Sequence, residues 1–387
     1  MRISKRSLVA AAILVLAFFS GFAVAKGLDR AAASATARGQ ADRYSQVLTD
    51  LQHKYYKPLD VAKLGQKGIT ALLASLNDPY TVYFSPRQAR QFSQELSGSY
   101  TGIGVAVDVK AGRLTVTRVF PGSPAAGAGI APGNVIVSVD GTPTAGKPAS
   151  RDVSRITGPS GTKVRLQLQR TVKPRRVTLT LTRRPISLPL TTSRMLSDHG
   201  TKVGYVSLSA FSKGAGTRVH DALAALQKQG AQRIVFDLRD NGGGLVSEAQ
   251  SVASDFLPAG KVVVTTQGAH SPKEVLKTGG ESPTSLPLVV LVNGNTASAS
   301  EIVTGALQDY HRATIIGAKT FGKGVVQTVL PLSGGAELKI TIASYRTPLG
   351  RDINHKGLEP TIAVAGQATK STDPALARAL RFIATGR

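Results

Sequence analysis

The chain of 387 residues contains no cysteine and no tryptophan, and only 5% of its residues are aromatic. The lack of cysteine excludes a disulfide framework, a thiolate zinc site, a cysteine nucleophile and a lipidated cysteine. No His-Glu-x-x-His motif occurs, which argues against a zinc peptidase. Several covalent and metal-dependent chemistries are therefore excluded at the outset.

Acidic residues are scarce, since 23 Asp and Glu face 48 Lys and Arg, for a formal net charge of +25. Such a balance favours contact with anionic surfaces. The basic residues are spread along the chain, without an aromatic-interleaved basic patch, a zinc-finger spacing or a basic-zipper pattern. We interpret the chain as a generally basic protein and expect no nucleic-acid partner.

The N-terminus has the layout of a secretion signal. Arg2, Lys5 and Arg6 precede an uncharged run over residues 7–25, which ends in the A-x-A pattern of residues 23–25. The run is also just long enough to span a bilayer, so a cleaved signal peptide and a retained membrane anchor both fit residues 1–25. Either way we expect an exported protein, in the periplasm, the cell envelope or outside the cell.

The pattern of the sequence changes along the chain. Residues 26–96 carry apolar residues at helical spacing, which predicts a helical region used for packing or dimer contacts. Short alternating runs over residues 97–184 predict a β-module. Strand-like and helical runs alternate over residues 185–366, which predicts an α/β core with a mixed sheet, and residues 367–387 form a tail with a predicted helix. The predicted fold class is α/β and α+β, with several domains.

The β-module contains features of a binding site. Gly102, Ile103 and Gly104 stand at a strand start, where the glycines free backbone N–H groups to face an anion. The following stretch, "FPGSPAAGAGIAPGNVIVSVDG", resembles a PDZ domain. PDZ domains add a peptide as an extra strand and hold its C-terminal carboxylate in a nest of amides. The resemblance implies that these three residues bind peptide, whereas in an ordinary β-module they would only form a tight turn.

A candidate nucleophile lies in "PLVVLVNGNTASASEI", which reads as a buried strand, a turn and a helix start. Ser298 would then be exposed at the carboxyl end of the strand, where α/β sheets bind ligands. The N–H of Ala299 would point at a developing oxyanion. However, Ser298 and Glu301 also match a helix capping box, so this segment alone does not decide between catalysis and capping.

A candidate base lies 25 residues later, in "TFGKGVVQ". In a Ser–Lys dyad a neutral amine takes the hydroxyl proton, which requires burial or positive neighbours to lower the lysine pKa. The glycines beside Lys323 remove competing side chains, so its amine could reach Ser298. Gln327 follows on the next predicted strand and could orient the lysine.

A glycine-rich turn in "RIVFDLRDNGGGLVSEA" provides candidate oxyanion donors. The N–H groups of Gly243 or Gly244 could complete an oxyanion hole with Ala299. Asp237 and Arg239, which precede the turn, are predicted to form structural charge contacts around it.

Five stretches together resemble the carboxyl-terminal processing serine peptidases, also called tail-specific proteases: "NDPYTVYFS", "DLRDNGGG", "TASASEI", "TFGKGVVQ" and "GRDINHKGLEP". The resemblance covers about residues 45 to 365. It implies that Ser298 is the nucleophile, Lys323 the base and Gln327 the support of the lysine, with an oxyanion hole formed by Ala299 and the Gly243–Gly244 loop. It further implies protein or peptide substrates with nonpolar C-termini, and no metal or cofactor.

The chain departs from the family pattern at two positions. Thr296 replaces the first serine of the serine triplet but keeps a hydroxyl. Thr157 stands where the family often has an arginine that links the peptide-binding module to the active site. Activation by a bound peptide is therefore less firmly implied than catalysis.

Alternative functions are less well supported. The spacing from Gly317 to Lys323 nearly matches a phosphate-binding loop, but Gly324 replaces the Ser or Thr that would hold Mg²⁺. A histidine triad lacks a recognisable context, and His311 is interpreted as a surface turn residue. A catalytically silent PDZ-type scaffold that only binds peptides remains the alternative. Self-association is left open by the sequence.

Overall fold

The computed structural model describes residues 35–146, 149–171, 175–187, 189–198, 200–280, 283–366, 368–369 and 372–386. The predicted signal peptide or anchor, residues 1–25, lies outside the described residues. Within the described ranges, no helix is both long and apolar enough to cross a membrane. The chain forms two compact units that divide between Pro79 and Tyr80.

The first unit contains two helices, α1 (Ala35–Lys54) and α2 (Val61–Ala74), which we call the helical hairpin. The Asp60 side chain caps α2 by accepting a hydrogen bond from the backbone N–H of Lys63, at 3.0 Å. The Tyr44 hydroxyl of α1 donates to the Gly65 carbonyl of α2, at 3.2 Å. No residue of α2 is buried, so its apolar side chains stay accessible.

The second unit begins with β1 (Val82–Phe84) and α3 (Pro86–Ser97). Strand β1 pairs antiparallel with β18 (Glu337–Arg346), with Val82 opposite Lys339. Strand β1 and helix α3, which lie within the predicted helical region 26–96, are grouped with the second unit, where β1 is bonded to β18. Helical spacing alone does not reveal such a long-range strand pairing.

The PDZ-like module contains an antiparallel sheet in the order β3-β4-β5-β7-β8, with β6 beside β5. Alternate residues of β7 are buried, as expected for a sheet with one face on a core. A separate two-stranded ribbon pairs β2 with β9 at the edge of the module. The elements are β2 (Ser99–Gly102), β3 (Val105–Lys110), β4 (Arg113–Val119), α4 (Pro124–Gly127), β5 (Val135–Val139), β6 (Thr142–Pro143), α5 (Ala149–Ile156), β7 (Lys163–Gln169), β8 (Arg176–Thr182) and β9 (Arg184–Ser187).

The peptidase-like core is built on a six-stranded sheet in the order β10-β11-β12-β15-β16-β19. Strands β10 and β11 are antiparallel and the other pairs are parallel, so the predicted mixed sheet is confirmed. Every residue of β15 is buried because helices cover both faces of the sheet. The strands are β10 (Thr191–Asp198), β11 (Thr201–Leu208), β12 (Arg233–Asp237), β15 (Leu288–Val292), β16 (Ala313–Gly317) and β19 (Ile362–Ala363).

Three helices share one hydrophobic cluster on one face of this sheet: α6 (Ala215–Lys228), α7 (Val246–Ser254) and α8 (Ala299–Asp309). Helix α9 (Pro374–Thr385), within the predicted tail, packs Ala375, Ala379 and Ile383 against the other face. A second sheet joins β1 and β18 to β13 (Val262–Gly268), β14 (Ser271–Lys277) and β17 (Val325–Pro331).

Candidate active site

Ser298 lies between β15 and α8, at the carboxyl end of the parallel strands. Its φ of 57° and ψ of −118° fall in a region that residues with a side chain rarely adopt. Such a conformation costs about 1–3 kcal/mol and is kept only where surrounding contacts enforce it. The strand, tight turn and helix therefore present Ser298 at the sheet edge, where it is partly exposed.

Glu301 supplies the contacts that enforce this conformation. Its carboxylate is completely buried in the first turn of α8 and accepts a hydrogen bond from the backbone N–H of Ser298, at 2.9 Å. The same carboxylate accepts from the Thr320 hydroxyl at 2.6 Å and from the N–H groups of Gly322 and Lys323 at 2.8 and 2.9 Å. One carboxylate thus binds the serine turn and the lysine loop together. Glu301 matches the capping pattern of the sequence, and it also binds the lysine loop.

Tyr345, in β18, makes a second bridge between the two segments. Its hydroxyl lies 2.5 Å from the Lys323 carbonyl and 3.1 Å from the Ser298 carbonyl, both of which can accept its proton. Burial raises the pKa of Tyr345 well above its usual value, and the charge of Glu301 adds to this effect. The phenol therefore stays protonated and remains a donor.

The ammonium of Lys323 lies over the ring of Tyr80, with the nitrogen 5.0 Å from the ring centroid. Among the described residues, no hydrogen bond joins this ammonium to the Ser298 hydroxyl. Gln327, in β17, donates from its amide to Thr341 Oγ1 at 3.5 Å. The structure therefore joins Ser298 and Lys323 through their backbones, while Gln327 contacts the neighbouring strand.

The glycine-rich turn contacts the candidate nucleophile directly. A Cβ on Gly243 would lie 2.8 Å from both Ser298 Cβ and Ala299 N, so only glycine fits there. The N–H of Gly243 donates to the Asn241 side chain at 2.9 Å. In the described part of the chain the N–H of Gly244 has no acceptor, and the N–H of Ala299, as the first helical residue, has no intrahelical acceptor.

Ion pairs of Arg239, which precedes the glycine-rich turn, connect this segment to β12 and to helix α9. Arg239 pairs with Asp237 at 2.6 Å and with Asp373, the N-cap of α9, at 2.7 Å, as the predicted structural role of Asp237 and Arg239 requires. Burial alone would lower the pKa of Arg239, but its bonds with Asp373 and Asp237 raise it. Burial and Asp237, which accepts the Tyr205 hydroxyl at 2.7 Å, raise the pKa of Tyr205 to about 12.

One of the three predicted peptide-binding residues, Ile103, lines a groove. Gly102 ends β2, Ile103 is fully buried, and a Cβ on Gly104 would lie 2.1 Å from Ser123 Cβ. Strand β3 and helix α5 flank a groove of about 450 Å³, with α3 at its border. Its apolar lining consists of Ile103, Val105, Ala106, Val107, Val153 and Ile156. Burial raises the pKa of the groove residue Tyr100 to about 12.

Two known protein families match this chain, one over the peptidase-like core and one over the PDZ-like module. Residues 202–364 match peptidase family S41, and residues 115–170 match the PDZ domain. The carboxy-terminal processing protease CtpA of Bacillus subtilis (strain 168) is 34% identical over 329 residues, covering 85% of this chain and 70% of that protein. The chain belongs to the carboxyl-terminal processing proteases of peptidase family S41.

Two other carboxyl-terminal processing proteases are also similar to most of this chain. A carboxyl-terminal-processing protease of Synechocystis sp. is 38% identical over 314 residues, covering 80% of this chain and 73% of that protein. The solved photosystem II D1 C-terminal processing protease is 32% identical, with a TM-score of 0.51, covering 87% of this chain and 90% of that chain. The family and fold class predicted from the sequence are confirmed, and this S41 peptidase is a serine-type protease with a PDZ domain.

The sequence reasoning missed several residues that shape the site. Tyr80, Thr320 and Tyr345 contact the lysine segment or the glutamate that holds it, but only Thr320 is near Lys323 in the sequence. Tyr80 does lie within the quoted stretch "NDPYTVYFS", to which no chemical role was given. In the described part of the chain, no group of His, Asp and Glu side chains could hold a metal ion.

Proposed function

We propose that this S41 peptidase is an exported endopeptidase that captures nonpolar protein C-termini with residues 97–184 and hydrolyses peptide bonds with a Ser298–Lys323 dyad. Ser298 Oγ attacks the carbonyl carbon while the neutral Lys323 amine takes its proton. The ammonium then protonates the leaving amine, which yields an acyl-enzyme on Ser298. Water, deprotonated by Lys323, hydrolyses that ester and restores the serine.

The oxyanion of each tetrahedral intermediate would be held by backbone donors. Ala299 supplies an N–H at the start of α8, where the helix dipole also favours negative charge. The glycine-rich turn that contacts Ser298 supplies the second donor, which we assign to Gly244 because the N–H of Gly243 is bonded to Asn241. Removing one oxyanion donor typically costs about 10²–10³ in rate.

The observation that carries this proposal is the shared support of the two residues. Glu301 accepts hydrogen bonds from the backbone of both Ser298 and Lys323, and Tyr345 contacts the carbonyls of both. A helix cap alone would not need a bond to the lysine loop. In the active complex, Gln327 would turn from Thr341 toward the amine and position it.

The peptide-binding module would raise the local concentration of substrate. A C-terminal residue in the apolar groove between β3 and α5 tethers the chain, so cleavage becomes effectively intramolecular. The nest would be the backbone of Gly102, Ile103 and Gly104, which leads into β3.

The location and the assembly belong to the same proposal. Residues 1–25 would direct export and, if retained, associate the protein with the membrane. The helical hairpin would join two copies of the chain, since its helices leave apolar side chains accessible.

Matched serine and lysine variants test the dyad. Ser298→Ala and Lys323→Ala should lower cleavage of an unfolded protein substrate by at least about 10³-fold. Ser193→Ala, on the exposed face of β10, and Lys319→Ala, a surface residue paired with Glu359, should cleave at the parent rate. A serine-reactive phosphonate should add its mass to Ser298.

Each alternative predicts a different result. Cleavage by Ser298→Ala at the parent rate would rule out the dyad. A parent protein that binds C-terminal peptides, yet neither cleaves them nor reacts with the phosphonate, would support the silent scaffold instead.

A further inference from the structure

Tyr80 occupies a position that the proposed reaction does not explain. Its half-buried ring lies under the ammonium of Lys323, which is 5.0 Å from the ring centroid. An aromatic face attracts a cation through the quadrupole of the ring but gives no such attraction to a neutral amine. The contact therefore favours the charged form of the lysine, whereas the proposed dyad needs the neutral form.

Tyr80 is held in this position by the chain that follows it. Thr81 is 4% exposed, and its hydroxyl accepts a hydrogen bond from the backbone N–H of Thr341 at 3.0 Å. The next residues form β1, which is paired in register with β18. The buried residue Thr81 and the paired strand β1 fix the backbone that follows Tyr80. The fold therefore sets the position of the Tyr80 ring.

The main chain of Lys323 is equally fixed, so only its side chain can move. Ionisable side chains of other elements contact this main chain: Glu301 of α8 accepts its N–H, and Tyr345 of β18 donates to its carbonyl. The pKa of Tyr345 is raised by burial, by the charge of Glu301 and by Tyr80. Tyr80, Tyr345 and Glu301 thus surround the lysine segment.

We infer that Tyr80 is a positioning residue for the base: its ring face holds the Lys323 ammonium in a resting position, and the amine leaves the ring before it accepts the Ser298 proton. This inference rests on the proposed dyad. The inference gives the stretch "NDPYTVYFS" a role: its strand β1 fixes Tyr80, and Tyr80 holds the side chain of Lys323. The contact then sets the pH at which the enzyme becomes active.

The pH dependence of kcat/KM tests this role. The parent activity should rise with pH as the lysine loses its proton. Tyr80→Leu removes the ring, so the midpoint should move about 0.5–1 pH unit lower, because the cation–π contact no longer favours the charged lysine. Tyr80→Phe keeps the ring face and should keep the parent midpoint. Tyr83→Leu, an aromatic loss in β1 itself, controls for packing and should also keep it.

A second measurement does not need catalysis. In the Ser298→Ala background, the rate at which a limiting amine reagent modifies Lys323, followed by mass spectrometry over a range of pH, reports the fraction of neutral amine. Adding Tyr80→Leu should raise that rate at pH 7 by about three- to tenfold, whereas adding Tyr80→Phe should leave it unchanged.

The outcomes separate the two proposals. If Lys323→Ala keeps the parent activity, the dyad itself fails, whatever Tyr80 does. If Lys323 is essential and the parent titrates, but Tyr80→Leu moves neither the midpoint nor the labelling rate, only the Tyr80 inference is overturned. A shift of equal size in Tyr80→Phe would also overturn it, because the hydroxyl and not the ring face would then be responsible.

Discussion

The carboxylate of Glu301 is stabilised by three backbone N–H groups and one hydroxyl. A buried ionised carboxylate is tolerated only when its oxygens are satisfied in this way. Hydrogen bonds to a charged acceptor are also roughly twice as strong as neutral ones. This residue therefore fixes the distance between the serine turn and the lysine loop.

We expect Glu301→Gln to destabilise the protein by about 2–4 kcal/mol, because one side of the new amide would present a donor to groups that are themselves donors. The activity should fall by about 10²-fold or more, since small misplacements of reacting groups are costly. Urea unfolding and kcat measure the two effects. Glu359→Gln, a change of the same type at an exposed ion pair, should alter stability by less than about 0.5 kcal/mol. Equal effects of the two changes would contradict the bridging role.

At the scale of elements, helix α9 and the glycine-rich turn are connected through Arg239. Burial alone would raise the pKa of Asp373, but the bond with Arg239 and the helix-cap bond lower it below its usual value of 3.8. A lowered pKa in the folded state means that the ionised form stabilises the fold. That stability is fully present above the unfolded-state pKa and is lost as pH falls through the folded-state pKa.

We therefore expect Asp373→Asn to destabilise the docking of α9 by about 1–3 kcal/mol at pH 7. The difference between variant and parent should shrink as the pH falls below about 4, because the parent loses the same charge. Hydrogen exchange of α9 and of residues 238–245, measured from pH 3 to 7, provides the check. A difference that stays constant over this range would show that the carboxylate charge is not involved.

The groove beside β3 and α5 gives a second prediction at this scale. Val153 lines the groove and is 38% exposed, so Val153→Asp should weaken binding of a peptide with a nonpolar C-terminus by about tenfold. Val109→Asp, at an exposed position of β3 outside the groove lining, should bind as the parent does. Fluorescence anisotropy with a peptide and its C-terminal amide measures both effects. The proposed capture mode fails if the amide binds as tightly as the free acid.

At the scale of the whole molecule, seven of the thirteen exposed large apolar side chains of the described residues lie in the first unit. Among them, Val47 and Leu72 of the helical hairpin and Leu76, which follows α2, are each more than half exposed. A hairpin of two helices is too small to bury such side chains within itself. A second copy of the chain offers the same apolar surface and could cover it by symmetric pairing.

We expect the protein to be a dimer by light scattering at micromolar concentration. The double change Leu72→Lys and Leu76→Lys should shift it to the monomer, because buried lysines at an interface are unfavourable. Val109→Lys, at an exposed position in the PDZ domain, should leave the dimer intact. A monomeric parent would contradict the prediction.

The sequence by itself determined the fold class, through the periodicity of its apolar residues, and the family, through its resemblance in short motifs such as "TASASEI" and "TFGKGVVQ", because periodicity and motifs are encoded locally. Tertiary structure alone decided what surrounds those two segments. The contacts of Tyr80 and Tyr345 with Lys323, and that of Asp373 with Arg239, join residues far apart in the chain, and no period or spacing marks them. They arise because β1 and β18 pair across the sheet and α9 folds back on the core, so their energies depend on packing that forms only when distant elements meet.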